Sequence, residues 1–183
     1  MKIIFLLFVF IVTQPSSLYG QARSNPKEVG TQAATKSDTA DQPDPKLAAT
    51  YKGLFDKAWS QKFVELWNSN PDTAKVFSGM GKVHFVSIGI ETIDVFMNYD
   101  SAGKATVLGV ANSFPTDTLP TFSAELASWA EFMEGKFGAV KGVMTGKIKF
   151  RGNWAVAFKY GFKFDKVAPV GKRATEIVNQ KKK

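Results

Sequence analysis

A chain of 183 residues is long enough for one domain with a real core, and with no cysteine it has no disulfide, thiol nucleophile or cysteine-based metal site. Its single histidine, His84, argues against a catalytic triad and against a multi-histidine zinc centre, while 16 phenylalanines point to a large apolar interior or an apolar cavity. The net charge of +8 is unevenly placed: residues 1–135 hold 11 basic and 14 acidic side chains, residues 136–183 hold 13 and 2, so the basic end attracts polyanions such as nucleic acid or anionic headgroups.

Residues 1–22 read as an export signal. Lys2 precedes ten unbroken apolar residues, 3–12, too few for a bilayer span of ~20, and Gly20-Gln21-Ala22 is a small-x-small cleavage site. A retained anchor and a buried core helix are the competing readings. The expectation is an exported protein, periplasmic or secreted; no cysteine follows the apolar run to carry a lipoprotein anchor. Residues 23–45 are polar and rich in breakers, the composition of a flexible linker.

From Lys46 the pattern turns helical. Leu47, Tyr51, Leu54, Phe55, Ala58, Trp59, Leu66 and Trp67 recur at the spacing of one helix face. Asn70-Pro71 opens a short helix that stops at Gly79. Residues 82–91, 92–100 and 104–112 are rich in Val, Ile, Phe and Thr and predict strands of an antiparallel meander, with a hairpin turn at 100–103. Pro115 and Pro120 confine any strand in "PTDTLPTF" to an edge or bulge. "SAELASWAEFMEGK" predicts a helix capped by Ser123 and ended by Gly135, with Phe122, Leu126, Trp129, Ala130 and Met133 on its apolar face. A short helical turn, "FGAVKG", leads to Met144. Lys147, Lys149 and Arg151 then alternate with Ile148 and Phe150, a strand with cations on one face and apolar groups on the other.

Each candidate for chemistry has a plainer reading. "GVMTGK" (142–147) approximates a phosphate-binding loop but is one residue short, and Ile148 stands where a magnesium ligand is needed. His84 shares a strand face with Val86, Ile88 and Ile90 and reads as a hydrogen-bonded wall residue. Glu131 and Glu134, one turn apart, read as a solvated helix face. No nucleophile has a base, and no metal cluster or cofactor motif is present, so the expectation is a protein without catalytic residues. Binding of single-stranded nucleic acid needs the aromatics beside the cations, and the alternation puts them on opposite faces, so no nucleic-acid partner is expected.

The stretch "GKIKFRGNWAVAFKY", the preceding helix and the order of the upstream strands resemble the sterol carrier protein type-2-like family of nonspecific lipid-transfer domains, over about residues 46–172. The resemblance implies an α+β fold, a five-stranded, mostly antiparallel sheet covered on one side by helices, enclosing an apolar tunnel for fatty acyl chains, sterols or similar lipids. Carried over, Phe85, Val95, Met97, Ile148 and Phe150 line it from the strands and Leu126, Trp129 and Met133 from the helix. Trp154, Val156, Ala157 and Phe158 belong to the segment closing one end. Two departures stand out: prolines in 115–120, and Gly161 with alternation continuing through Phe162 and Phe164, which shortens the closing helix or leaves it partly extended. The leading expectation is an exported lipid carrier with Lys147, Lys149, Arg151, Lys159 and Lys163 toward headgroups or a membrane surface, and residues 173–183 as a basic tail. The alternatives are a noncatalytic accessory domain that docks a partner through its basic face, and a small-molecule enzyme relying on His84.

Overall fold

A computed structural model describes residues 44–109 and 119–182. The expected signal peptide, nearly all of the expected linker, and residues 115–118 of the proline-broken segment lie outside the described residues. In chain order the elements are α1 (Pro45–Thr50), α2 (Lys57–Asn68), α3 (Pro71–Lys75), β1 (Gly81–Ile88), β2 (Ile93–Tyr99), β3 (Ala105–Gly109), β4 (Thr121–Glu125), α4 (Leu126–Met133), α5 (Ala139–Met144), β5 (Lys149–Arg151), α6 (Trp154–Tyr160), a 3-10 segment (Gly161–Lys166) and α7 (Val167–Gln180).

The first predicted helix is two. Phe55 takes a φ of 70°, and the Asp56 carboxylate accepts from the Trp59 N–H at 2.7 Å, so a new helix starts there. Trp59, Phe63 and Trp67 then stack ring on ring down α2, all buried. Asn70 caps α3, as the sequence predicts. The turn after β2 is also as expected: the Asp100 carboxylate accepts from the Ala102 and Lys104 N–H groups. Gly103, at φ 80°, lies so close to α3 that a Cβ there would stand 1.8 Å from the Ala74 carbonyl oxygen, so only glycine fits.

The five strands form one sheet in the order β3-β2-β1-β4-β5, antiparallel except for the β1/β4 pair. Val83, Phe85, Val95, Met97 and Phe122 share the face that meets the helices. Three indole N–H groups fasten the fold: Trp129 donates to the Val86 carbonyl of the sheet, Trp67 to the Gly103 carbonyl before β3, and Trp59 of α2 to Thr175 Oγ1 of α7 within the helical layer.

Three expectations are corrected. Ser123 is not a helix cap: it sits inside β4, paired with Val86 and Lys149, and α4 begins after Glu125 with no side-chain cap bond. The strand places Phe122 among Phe85, Phe150 and Phe164, and burying a phenyl ring outweighs a cap worth ~1 kcal/mol. Residues beyond Gly152 are not extended: Asn153 caps α6, and helical structure runs on through the 3-10 segment into α7. Finally, residues 173–180 are the second half of α7, with Ala174, Thr175 and Val178 buried, so the domain boundary expected at 172 falls inside a helix.

An apolar cavity as the candidate functional site

The layer between the sheet and α2, α4 and α7 is filled by rings. Phe55, Trp59, Phe63, Phe85, Met97, Trp129, Met133, Phe164 and Val167 surround a void of only about 10 Å³ there, the least that holds one water. The space is instead at one end of the helical layer. A cavity of about 160 Å³ is lined by Phe122, Ala139, Val140, Val143, Met144, Trp154, Ala157, Phe158, Gly161 and Phe164.

Four elements build it. Phe122 of β4 and Phe164 of the 3-10 segment form the floor, with ring centroids 4.4 Å apart. One wall is α5, whose N-terminus is held by the 3-10 segment: the Asp165 carboxylate accepts from the Ala139 N–H at 2.7 Å. The other wall is α6. Gly142 sits where a Cβ would meet the Phe137 and Ile148 side chains, so α5 settles onto the core without a side chain there. The mouth is open, because Met144, Trp154 and Phe158 are 82%, 53% and 77% exposed.

The lining holds no titratable side chain. The two glutamates of the neighbouring helix, Glu131 and Glu134, stand outside it and are ion-paired. The Glu131 carboxylate accepts from Lys147 at 3.1 Å. Glu134 accepts from the Tyr51 hydroxyl at 2.8 Å and from Lys172 at 2.6 Å. The Lys172 hydrogen bond holds the Glu134 carboxyl below its ordinary range, while burial pushes the Tyr51 phenol up. The two glutamates are therefore ion-paired cross-links, where the sequence reading makes them a solvated face.

Of the residues expected at a ligand, Trp154, Ala157 and Phe158 line the cavity. Phe150 borders it, its ring 5.0 Å from Trp154 and 4.9 Å from Phe122. Phe85, Met97, Trp129 and Met133 surround the small interior void instead. Val95 and Ile148 are packed core, Leu126 is half-buried against it, and Val156 packs on the core without lining the cavity. The alternation in β5 holds: Lys149 and Arg151 are exposed on the face opposite Phe150. That face carries Thr121, Ser123 and His84, away from the cavity. Lys159 and Lys163, on α6 and the 3-10 segment, do not line the cavity; their ammonium groups lie over the Tyr160 ring. His84 Nε2 lies 3.0 Å from Asp94, its ring stacks on Phe96 at 4.1 Å, and Nδ1 has no hydrogen-bond partner among the described residues. Val140, Val143, Met144 and Gly161 are lining residues that sequence reasoning misses; the helical turn at 139–144 is legible, but nothing in it marks a wall.

The parallel β1/β4 pair in an otherwise antiparallel five-stranded sheet, with helices of the described residues covering one face, is the sterol carrier protein 2-like fold. The crystal structure of sterol carrier protein 2 superposes with a TM-score of 0.54 at 18% identity, covering 65% of this chain and 97% of that one. The solution structure of a conserved hypothetical protein of Thermus thermophilus, described as a possible sterol carrier protein, gives 0.54 at 19% identity, over 66% and 89%. The likeness is one of fold. No protein-family profile matches the chain, and no curated protein matches it.

Proposed function

We propose that this protein is a noncatalytic lipid carrier that takes an apolar segment of its ligand into the cavity between α5, α6 and the 3-10 segment. The observation that carries the reading is a cavity of about 160 Å³ lined by apolar groups and open at its mouth. Such a lining binds by burial alone and offers no acid, base or nucleophile to a substrate. The sterol carrier names of the two similar structures support the same reading.

The volume sets the strength of the interaction. The cavity has room for about five groups the size of a water or methylene. At ~0.8 kcal/mol each this gives about 4 kcal/mol, a dissociation constant near 1 mM. Tight holding therefore needs the rest of the ligand to lie on the exposed rim, or α5 and α6 to part. Either suits a flexible acyl chain better than a rigid ring system. An anionic membrane surface is the second partner in this reading, and export through residues 1–22 would put the carrier outside the cytoplasm.

The test is uptake of fluorescent fatty acids and sterols by delipidated full-length protein, with Ala157→Phe as the cavity-filling control. Saturable uptake that falls at least tenfold in the variant is expected. No saturable binding across the panel would sink the reading. Sequencing the N-terminus of material recovered from the medium or periplasm of the expressing cell tests the export.

A further inference from the structure

We propose that the rim of the cavity is a membrane-docking face: Met144, Trp154, Phe158 and Phe162 insert into the interfacial layer of an anionic bilayer while Lys159 and Lys163 engage headgroups. The inference rests on the carrier reading and adds where, and by which residues, the carrier meets its membrane.

Among the described residues, five large apolar side chains are exposed, and four of them gather at this end of the molecule. Met144, Trp154 and Phe158 rim the cavity; Phe162, 79% exposed, follows directly on Gly161 of its lining. Trp154 and Phe158 stand one turn apart on the same face of α6, with ring centroids 6.1 Å apart. The fifth, Ile90, projects alone from the β1–β2 turn and needs no explanation.

Charge identifies the partner. Residues 152–166, which carry α6 and the 3-10 segment, contain three basic side chains, Lys159, Lys163 and Lys166, and one acid, Asp165, whose carboxylate is committed to the Ala139 N–H. Lys159 and Lys163 are exposed residues whose ammonium groups lie over the Tyr160 ring, 5.0 and 5.5 Å from its centre, so the two cations are held together beside Phe158 and Phe162. A short helix with tryptophan and phenylalanine on one face and lysines beside it matches an anionic interface, where aromatic groups insert shallowly and lysines reach headgroups. A second copy of this chain fits poorly, since a two-fold contact would set the same cations against each other. The face excludes Lys149 and Arg151, which project from the opposite side of the sheet, and Lys147, which is bound to Glu131.

The geometry gives the docking a purpose. With the rim in the interface, the mouth opens into the acyl region, and a lipid tail moves between bilayer and cavity without crossing water.

The experiment uses full-length protein with vesicles of phosphatidylcholine alone and of phosphatidylcholine mixed with phosphatidylserine, each with and without brominated acyl chains. Trp59, Trp67 and Trp129 are buried, so Trp154 is the reporter. Expected are a blue shift and bromine quenching on the mixed vesicles, both lost in Trp154→Phe. Lys159→Ala and Lys163→Ala should each weaken binding about fivefold, Phe162→Ser about tenfold, and Lys149→Ala not at all. Vesicle binding without quenching of Trp154 would mean that another part of the chain attaches, and would overturn the proposal. So would a blue shift that follows protein concentration in the absence of vesicles, the mark of self-association, or an equal loss in Lys149→Ala. None of the lysines and not Phe162 lines the cavity, so fatty-acid uptake in these variants stays unchanged. In the unaltered protein, uptake without docking fails this inference alone, and docking without uptake fails the carrier reading alone.

Discussion

Glu134 joins three helices through one carboxylate, receiving Tyr51 from the turn after α1 and Lys172 from α7. Because its folded pKa is lowered, its stabilisation is complete above the ordinary value of 4.5 and is lost as pH falls through the folded value. Glu134→Gln should therefore cost about 1 kcal/mol at pH 7, discounted for partial exposure, and progressively less as the pH is lowered below 4.5, measured by denaturant unfolding across that range. Gly161 illustrates the opposite case. Its φ of −51° suits any residue, and a Cβ would meet Val140 Cγ2 at 3.5 Å, an ordinary contact. Gly161→Ala should raise stability by ~0.4–1 kcal/mol while placing a methyl group in the cavity and weakening acyl uptake. Residues of this kind are hard to read from sequence. The alternation assigns faces correctly within β5, from Lys149 to Arg151, because period two is a local property, but Lys147 and Ile148 precede the strand, and Lys147 turns to Glu131 instead of sharing the face of Lys149 and Arg151. Whether an inward residue meets a ligand or only other rings is decided by partners distant in the chain.

Among the elements, α7 departs most from its sequence reading. Its buried face is Val167, Ala168, Gly171, Ala174, Thr175 and Val178, mostly small residues, and lysines and arginine at 172, 173, 181 and 182 dominate the composition. The small residues are needed for close approach: a Cβ on Gly171 would stand 2.4 Å from Met133 Sδ. A chain ending at Lys172 loses Thr175, the acceptor for Trp59, and uncovers α2. It should be insoluble or lack a cooperative thermal transition by circular dichroism, whereas removal of a true tail leaves the transition in place. The break between α1 and α2 is hidden in the sequence because apolar spacing stays in phase across it; the only mark is Asp56, three residues before Trp59. Ser123 misleads in the other direction, as a good cap residue in a segment whose phenylalanine has a better place in the sheet.

At the scale of the whole molecule, the meander of the first three strands is visible in the chain, while the five-stranded sheet and its one-sided helical cover are anticipated by the family resemblance alone. The ring-filled interior does not follow, because aromatic content alone cannot tell a packed layer from an enclosed space. Phe55, Phe85, Trp129 and Phe164 meet one another and their neighbours ring to ring, and they would have to move for a long acyl chain to lie between sheet and helices. The accessible volume is therefore displaced to the end of the layer. Trp129→Ala should then cost stability, about 3–5 kcal/mol by chemical denaturation, more than it costs acyl uptake, while Ala157→Phe does the reverse.

The hydrogen bond from the Ala139 N–H to Asp165 is a clasp between two jaws. It ties the start of α5 to the 3-10 segment at the base of the cavity, and the carboxylate that closes it sits in an exposed residue. The width of the site is thus fastened from outside the core, and releasing the clasp leaves the ring-packed layer untouched. Asp165→Ala should speed amide exchange in 139–144 and 161–166 selectively, and admit bulkier acyl probes at little cost to the global unfolding midpoint.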